Sequence, residues 1–452
     1  MVVQPAVPGH PAASHYSRQR LRPFRYGWAA MLALVLSSCS STGRLGGPSQ
    51  SLLLSAPLAA AHTGIVVADA NTGRQLFNYQ GDKYFIPASN TKIVSCYAAM
   101  KYLGDSLPGL RYHAADDGTV EIAGTGDPVF LHPEFSSQRV LAFLKTFKKI
   151  RWSEPIFDEA LGSGWQWDDY HDSYMVQRSP LPMYGNVARF TLGAKKSVSV
   201  LPAQFASQVK PGSIAGAQGF NVVRDWDKNE FTILDGNHPT QEVPFNANMG
   251  TMRELLEQAT GVPVESDPFG SLPLAGSGII YSIPTDSMLK PMMYRSDNFY
   301  AEQTLMMVSQ KLLHRFDIGA ITDTLLKSDL AGLPQIPRWA DGSGLSRYNL
   351  FSPADFIKVM QKMLELPRGL ERVRAIFPTG GQGSLKNYYI ADSSFIYAKT
   401  GTMSGVVSLS GLLYAKSGRA VLFSIIVNNN RAPASDVRVE VEKFVESVRE
   451  KF

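Results

Sequence analysis

Pro87-Ala88-Ser89-Asn90-Thr91-Lys92, followed by Ile93-Val94-Ser95-Cys96-Tyr97-Ala98-Ala99-Met100, is the stretch from which the fold is read. Its long apolar run, closed by Gly104, predicts a buried helix with Ser89 at its first turn. Positions i and i+3 share a helix face, so Lys92 is placed beside the Ser89 hydroxyl. A serine hydroxyl becomes a useful nucleophile when a neighbour removes its proton, and a lysine does that only when neutral. Burial, the helix N-terminus and a second cation all disfavour the ammonium. Lys399 is the candidate for that second cation.

Two further motifs complete the pattern. Ser296-Asp297-Asn298 opens a second helix reaching about His314. Ser296 is placed to relay a proton between Lys92 and a leaving amine, and the Asn298 amide to hold a substrate backbone. Lys399-Thr400-Gly401-Thr402 leads into a strand through Tyr414. There a cation and hydroxyls suit a terminal carboxylate, and Gly401 lets a ligand approach the backbone. The N–H groups of Ser89 and Thr402 are the expected oxyanion donors.

The rest of the chain frames these motifs. Its 452 residues are 44% hydrophobic and 18% charged, which gives a large folded core. The formal charge of +5 is misleading. Arg18, Arg20, Arg22 and Arg25 are the only ionised side chains before Cys39, so cleavage there leaves about +1 and no case for a nucleic-acid partner. Behind those arginines, Trp28 to Leu36 is an apolar run of signal-peptide length, too short to span a bilayer. Leu36-Ser37-Ser38-Cys39 looks like a lipobox, with Cys39 the lipidation site. Ser40 after it is compatible with outer-membrane sorting, and the Gly/Ser-rich residues that follow read as a flexible tether. Cys96 is the one other cysteine and reads as a core hydrophobe. The eight histidines make no metal-binding motif, so no metal or other cofactor is expected.

Thr63 to Asp69 and Arg74 to Tyr79 read as a hairpin, and Val406 to Tyr414 and Ala420 to Asn428 as its sheet partners at the far end of the chain. A terminal helix presents Val437, Val441, Phe444, Val448 and Phe452 on one face. Both ends of the sequence therefore close one α/β domain. Roughly two hundred positions separate Ser89 from Ser296, far more than a helical connection needs, and short alternating stretches between turn signals fill them. The expected organisation is a signal peptide over 1–38, a tether over 39–60 and a catalytic domain from 61–105 with 281–452. Residues 106–280 form a mostly β accessory insert of one or two small domains.

The three motifs, with Gly124 to Pro128, Gly164-Trp165-Gln166-Trp167-Asp168-Asp169 and Asp341 to Asn349, resemble the D-alanyl-D-alanine carboxypeptidase/endopeptidases among the low-molecular-mass class C penicillin-binding proteins. The resemblance covers about residues 60 to 450. It implies a penicillin-binding, serine β-lactamase-like domain with an antiparallel sheet flanked by helices and an accessory insert. It also implies a serine D,D-peptidase acting on peptidoglycan stem peptides and cross-links, with β-lactams as inhibitors. Ser89 would then be the nucleophile, Lys92 its base, and Ser296, Asn298 and Lys399 the remaining catalytic set. Lys399, Thr400 and Arg347 would grip the terminal carboxylate, Gly401 and Thr402 would complete the substrate-binding set, and Asp169 would take the amino group of a diaminopimelate side chain, a role that Asp168 could also fill. The implied location is periplasmic, on an outer-membrane lipid anchor. Ser-Asp-Asn also occurs in class A β-lactamases, and the Ser296 to Lys399 separation is close to theirs. A β-lactamase or esterase on the same scaffold is thus the enzymatic alternative, and a catalytically silent wall-binding lipoprotein the non-enzymatic one. No Glu-x-x-Leu-Asn motif follows Ser296, so acylated penicillin is expected to leave slowly.

Overall fold

The structure, a computed structural model, describes residues 45–452 with the exception of 154–156, 158, 195–196, 213–218, 269, 271 and 273–275. Cys39, the segment 1–38 and residues 39–44 of the expected tether lie outside the described residues. Among the described residues no helix is long and apolar enough to cross a membrane.

A helix, α1 (Gly46–Leu54), comes first, where composition alone reads a flexible tether. The correction has a packing cause. Leu45, Leu52 and Leu58 are buried against the outer face of the main sheet, and that burial overrides the low helix propensity of the glycines. Strands β1 (His62–Asp69) and β2 (Gln75–Tyr79) form a hairpin. Asp69 Oδ1 accepts from the N–H groups of Asn71 (3.1 Å) and Thr72 (2.8 Å), and Gly73 supplies the positive φ its turn requires. Helix α2 (Thr91–Tyr102) is buried at every position from Thr91 to Met100, as a central helix must be when it is apolar all round.

The second half of the catalytic unit begins with the helix Thr285–Tyr294 and continues into α3 (Asn298–Leu313), capped by the Asp297 carboxylate on the Tyr300 N–H. The helix Pro353–Glu365 follows, with a capping box between Ser352 and Asp355. Strands β3 (Ile396–Met403), β4 (Val406–Tyr414) and β5 (Ala420–Asn428) and helix α4 (Ala434–Lys451) complete the fold. The sheet order is β3-β4-β5-β1-β2, antiparallel throughout. Alternation along β1 and β5 serves both faces. Ile65, Val67, Phe423 and Ile425 pack with α1 and α4, while Val66, Ala68, Leu422 and Ile426 belong to the core that holds α2 and Pro353–Glu365. The molecule is therefore an α/β fold with an antiparallel sheet covered by helices on both sides, as the sequence predicts.

Between Ser106 and Pro284 the described residues build three more sheets, one five-stranded and two three-stranded. Their hydrophobic core is separate and includes Ile122, Trp152, Phe190, Phe231 and Leu255. Entry and exit are pinned together: Thr285 N donates to Asp105 O (2.9 Å), and Thr285 Oγ1 to Gly104 O (2.7 Å).

Leu52 is 2% exposed and Leu54 is 69% exposed, two residues along the same short helix. Leu52→Ala is expected to destabilise the protein by about 2–4 kcal/mol and Leu54→Ala by less than about 0.5 kcal/mol, measured by urea unfolding. Equal effects would mean that α1 does not dock.

Candidate active site

Ser89 lies in a 3-10 turn, Ala88–Asn90, just ahead of α2, so the helix starts at Thr91 and not at the nucleophile. Ala88 has φ +48°, a strained value for a residue with a side chain, and Thr91 Oγ1 locks the turn by donating to Ala88 O (2.9 Å). The loop after Asp341 comes so close that a Cβ at Gly344 would stand 1.9 Å from Ala88 O. Strand β3 closes the other side. A Cβ at Gly401 would meet Ser408 Oγ at 2.2 Å and Ser89 N at 3.0 Å, so the glycine is what lets the strand lie against the turn.

Lys92 is completely buried. Its Nζ lies 3.0 Å from Ser89 Oγ, 2.7 Å from Asn298 Oδ1 and 2.7 Å from the Ser343 carbonyl. The last two atoms can only accept. A neutral amine has two hydrogens for them, and its lone pair is then left facing the Ser89 hydroxyl. Burial lowers the Lys92 pKa to about 8, against the pull of Asp341, Glu302 and Asp297, which favour the charged form. Lys399 is buried too, and burial first, then Lys92 and Arg438, push it well below its ordinary range; repulsion between the two amines is mutual and disfavours the charge on both.

Ser296 adopts φ +62° immediately before α3, and Lys399 Nζ donates to its hydroxyl (2.9 Å) and to Thr400 O (2.6 Å). The two lysines thus divide the two serines between them. Asn298 is more committed than its sequence role implies: Oδ1 is held by Lys92, and Nδ2 donates to Tyr174 O (2.9 Å). One Nδ2 hydrogen remains for a ligand.

A cleft of about 410 Å³ opens over Ser89, with Asp169, Tyr174, Asn298, Arg347 and Thr402 in its walls. Arg347 Nη2 donates to Ser404 O (2.9 Å), which holds the guanidinium at the mouth. Burial and the Asp169 carboxylate push the Tyr174 phenol up, so it stays protonated beside that acid. Asp168 is not among the lining residues. Thr402 Oγ1 accepts from Arg438, whereas Thr400 is buried in a smaller recess shared with Arg438 and Tyr388.

Beneath Lys92 lies a buried charged layer that sequence reasoning missed. Glu302 Oε1 accepts from Ser343 N (2.8 Å), and its Oε2 stands 3.8 Å from Arg178 Nε. Asp341 accepts from Gly344 N, Ser346 N, Asn349 Nδ2 and Trp165 Nε1, at 2.6 to 2.9 Å. Burial and the nearby Asp341 raise the Glu302 pKa. One signal was available: Glu302 is four residues after Asn298, an acid on the buried face of an apolar helix. Arg178, Trp165 and Tyr174 carry no comparable pattern.

Comparison with known proteins gives a consistent family. A model of the D-Ala-D-Ala carboxypeptidase 3 (S13) family matches residues 50–448. The D-alanyl-D-alanine carboxypeptidase of Actinomadura sp. (strain R39) is 28% identical, with 83% of this chain and 79% of that protein covered. D-alanyl-D-alanine carboxypeptidase DacB of Haemophilus influenzae is 25% identical over 81% of this chain and 85% of its own length. Among solved structures, penicillin binding protein 4 of Haemophilus influenzae superimposes with a TM-score of 0.70 at 21% identity, covering 89% of this chain and 98% of that one. The shared fold is what that last likeness shows.

Gly344→Ala sets a Cβ against the Ala88 backbone at a φ of +82°, so the turn bearing Ser89 has to move. The variant is expected to lose roughly a hundredfold or more in activity, because displacement of a reacting group by about 1 Å has that effect. Gly332→Ala, with open space around it, is the control and is expected to match wild type in activity and thermal unfolding.

Proposed function

The chain belongs to the D-Ala-D-Ala carboxypeptidase 3 (S13) family and is a serine D,D-peptidase; from that premise we propose the part each site residue plays. The observation that carries the proposal is the set of contacts around Lys92 Nζ, which in the neutral amine leaves the lone pair for Ser89 alone. Lys92 takes the Ser89 proton as Oγ bonds to the carbonyl carbon of the penultimate D-alanine. The N–H groups of Ser89 and Thr402 hold the oxygen that becomes negative. Collapse of the intermediate breaks the peptide bond. The departing amine receives its proton through Ser296, whose own proton is replaced from Lys92, which thereby returns to the neutral amine. Water then attacks the ester with the same base, returning the proton to Ser89 and releasing the acid.

Thr400, Thr402 and Arg347 grip the terminal carboxylate in this reading, with Gly401 keeping the strand edge open to the substrate. β3 is an edge strand, so its free backbone groups are available to an extended peptide. Asp169, held beside Tyr174 in the cleft wall, takes the free amino group of a diaminopimelate side chain. Residues 106–280 are read as an accessory insert to the catalytic domain. An enzyme of wall peptides works outside the cytoplasmic membrane, and the Leu36 to Cys39 motif supports export and anchoring through a lipid on Cys39 at the periplasmic face of the outer membrane.

A fluorescent penicillin tests the assignment. Wild type is expected to form a stable adduct, and Ser89→Ala none. No adduct on wild type sinks the peptidase reading, and rapid turnover of the drug favours a β-lactamase. The pH dependence follows from the base. Below about pH 8 the neutral fraction of Lys92 grows tenfold per unit, so the acylation rate is expected to climb with that slope and level off above about 8. A rate that falls as pH rises through 8 would contradict Lys92 as base.

A further inference from the structure

The catalytic cleft has a larger neighbour. A second cleft, of about 630 Å³, opens on the insert and is lined by side chains that include His171, Arg189, Thr191, Asn221, His238 and Glu242. The two clefts share a wall, since Gln166, Asp169 and Tyr174 face the first while His171, Asp172 and Ser173 face the second. Asp169 and His171 are two residues apart, which puts their Cα atoms within about 7 Å.

Aromatic rings gather along this wall. Trp167 is 72% exposed and Trp226 47%, with their rings edge to face at 6.2 Å. Tyr170 lies 4.7 Å from Trp226 and 5.1 Å from His171, and its hydroxyl is fixed by Arg224 O at 2.9 Å. Large aromatic rings held in fixed positions at the surface mark a contact surface for a ligand. The chemistry of the cleft narrows the ligand. Arg189 Nε is paired with Glu242 Oε1 at 2.6 Å, so the main cation is neutralised within the site, and Asp172 adds a negative charge that disfavours anions. Hydroxyl, amide and imidazole groups remain. A neutral, multiply hydroxylated ligand with flat apolar faces fits both the cleft and the rings.

We propose that this cleft and the Trp167–Trp226 platform bind the N-acetylated hexose strand of the wall polymer whose stem peptide occupies the catalytic cleft. The inference rests on the D,D-peptidase reading and adds to it a glycan site on the insert. An extended stem of about four residues spans roughly 14 Å, and the two clefts adjoin along the wall that carries Asp169 and His171. Carried on its sugar, a stem peptide is thereby held at two points, and the second raises the effective concentration at the first.

The test uses the full chain and three side chains, Asn221 and His238 in the cleft and Trp226 on the aromatic platform. Calorimetric titration with the neutral N-acetylglucosamine tetramer is expected to show saturable binding. Asn221→Ala/His238→Ala and Trp226→Ala should each weaken it at least tenfold while acylation by penicillin stays at the wild-type rate. In turnover, wild type is expected to favour a disaccharide-linked pentapeptide over the free pentapeptide about tenfold in kcat/KM, and the double variant to lose that preference. Absence of saturable tetramer binding by wild type, or variants that bind it normally, overturns the glycan site. Penicillin acylation reports on the peptidase reading alone. Its loss with tetramer binding intact would sink that reading and keep the glycan site, and the converse result would do the reverse.

Discussion

The buried amine of Lys92 is the constraint around which the rest of the molecule is arranged. An ammonium shut away from water is unstable unless oxygen atoms surround it, and here three oxygens come from three separate parts of the chain: Ser89, Asn298 and the Ser343 carbonyl. Three carboxylates farther out keep its pKa near 8, when burial alone would take it lower. That compromise suits the role proposed for it, since a lysine with a pKa of about 8 can be deprotonated often enough to act as a base and still regain a proton for the leaving group. The burial of α2, the Asp341 loop and the start of α3 all serve to hold that amine in place.

Backbone conformation carries the second constraint. Ala88 and Ser296 both have positive φ, and each sits where a motif serine must be turned toward a lysine. Such strain of about 1–3 kcal/mol per residue persists only where neighbours over-determine the conformation. Thr91, Gly344 and Gly401 do so on one side. On the other, Lys399 and the Asp297 cap fix Ser296 against the first turn of α3. The serines are therefore placed by their surroundings and not by regular secondary structure, which is why the sequence pattern placed Ser89 one turn too far into the helix.

Local patterns made most of the catalytic fold legible. Alternation in Val406 to Tyr414 and Ala420 to Asn428 gave strands whose ends agree with the structure. The three motifs named the residues that meet in the cleft because their chemistry is written in their identities. What escaped is long-range or relational. Gly46 to Leu54 reads as a linker until the sheet face it covers is known. The balance of burial and charge at Lys92 and Lys399 depends on depth and on the placement of Asp341 and Glu302, which no spacing encodes. Arg178 and Tyr174 lie in a stretch of weak periodicity, and although Trp165 and Asp341 each stand in a motif, nothing local marks them as partners.

Arg178, Trp165 and Tyr174 also change how the insert is to be understood. Its ends meet at Gly104, Asp105 and Thr285, so in principle the chain between them could hang from the catalytic unit as a separate body. The contacts argue otherwise. Tyr174 O holds Asn298, Trp165 Nε1 holds Asp341, and Arg178 faces Glu302 in the layer beneath Lys92. Gln303 of α3 donates to Gly126 O and Ser179 O, and accepts from Ser179 N. Removing the insert would take these partners from Glu302 and Asp341 and uncover the layer beneath Lys92. It would also free the Asn298 amide, whose oxygen directs the Lys92 amine. The catalytic unit is thus incomplete without the insert, and any substrate specificity carried there is mechanically joined to the nucleophile through α3.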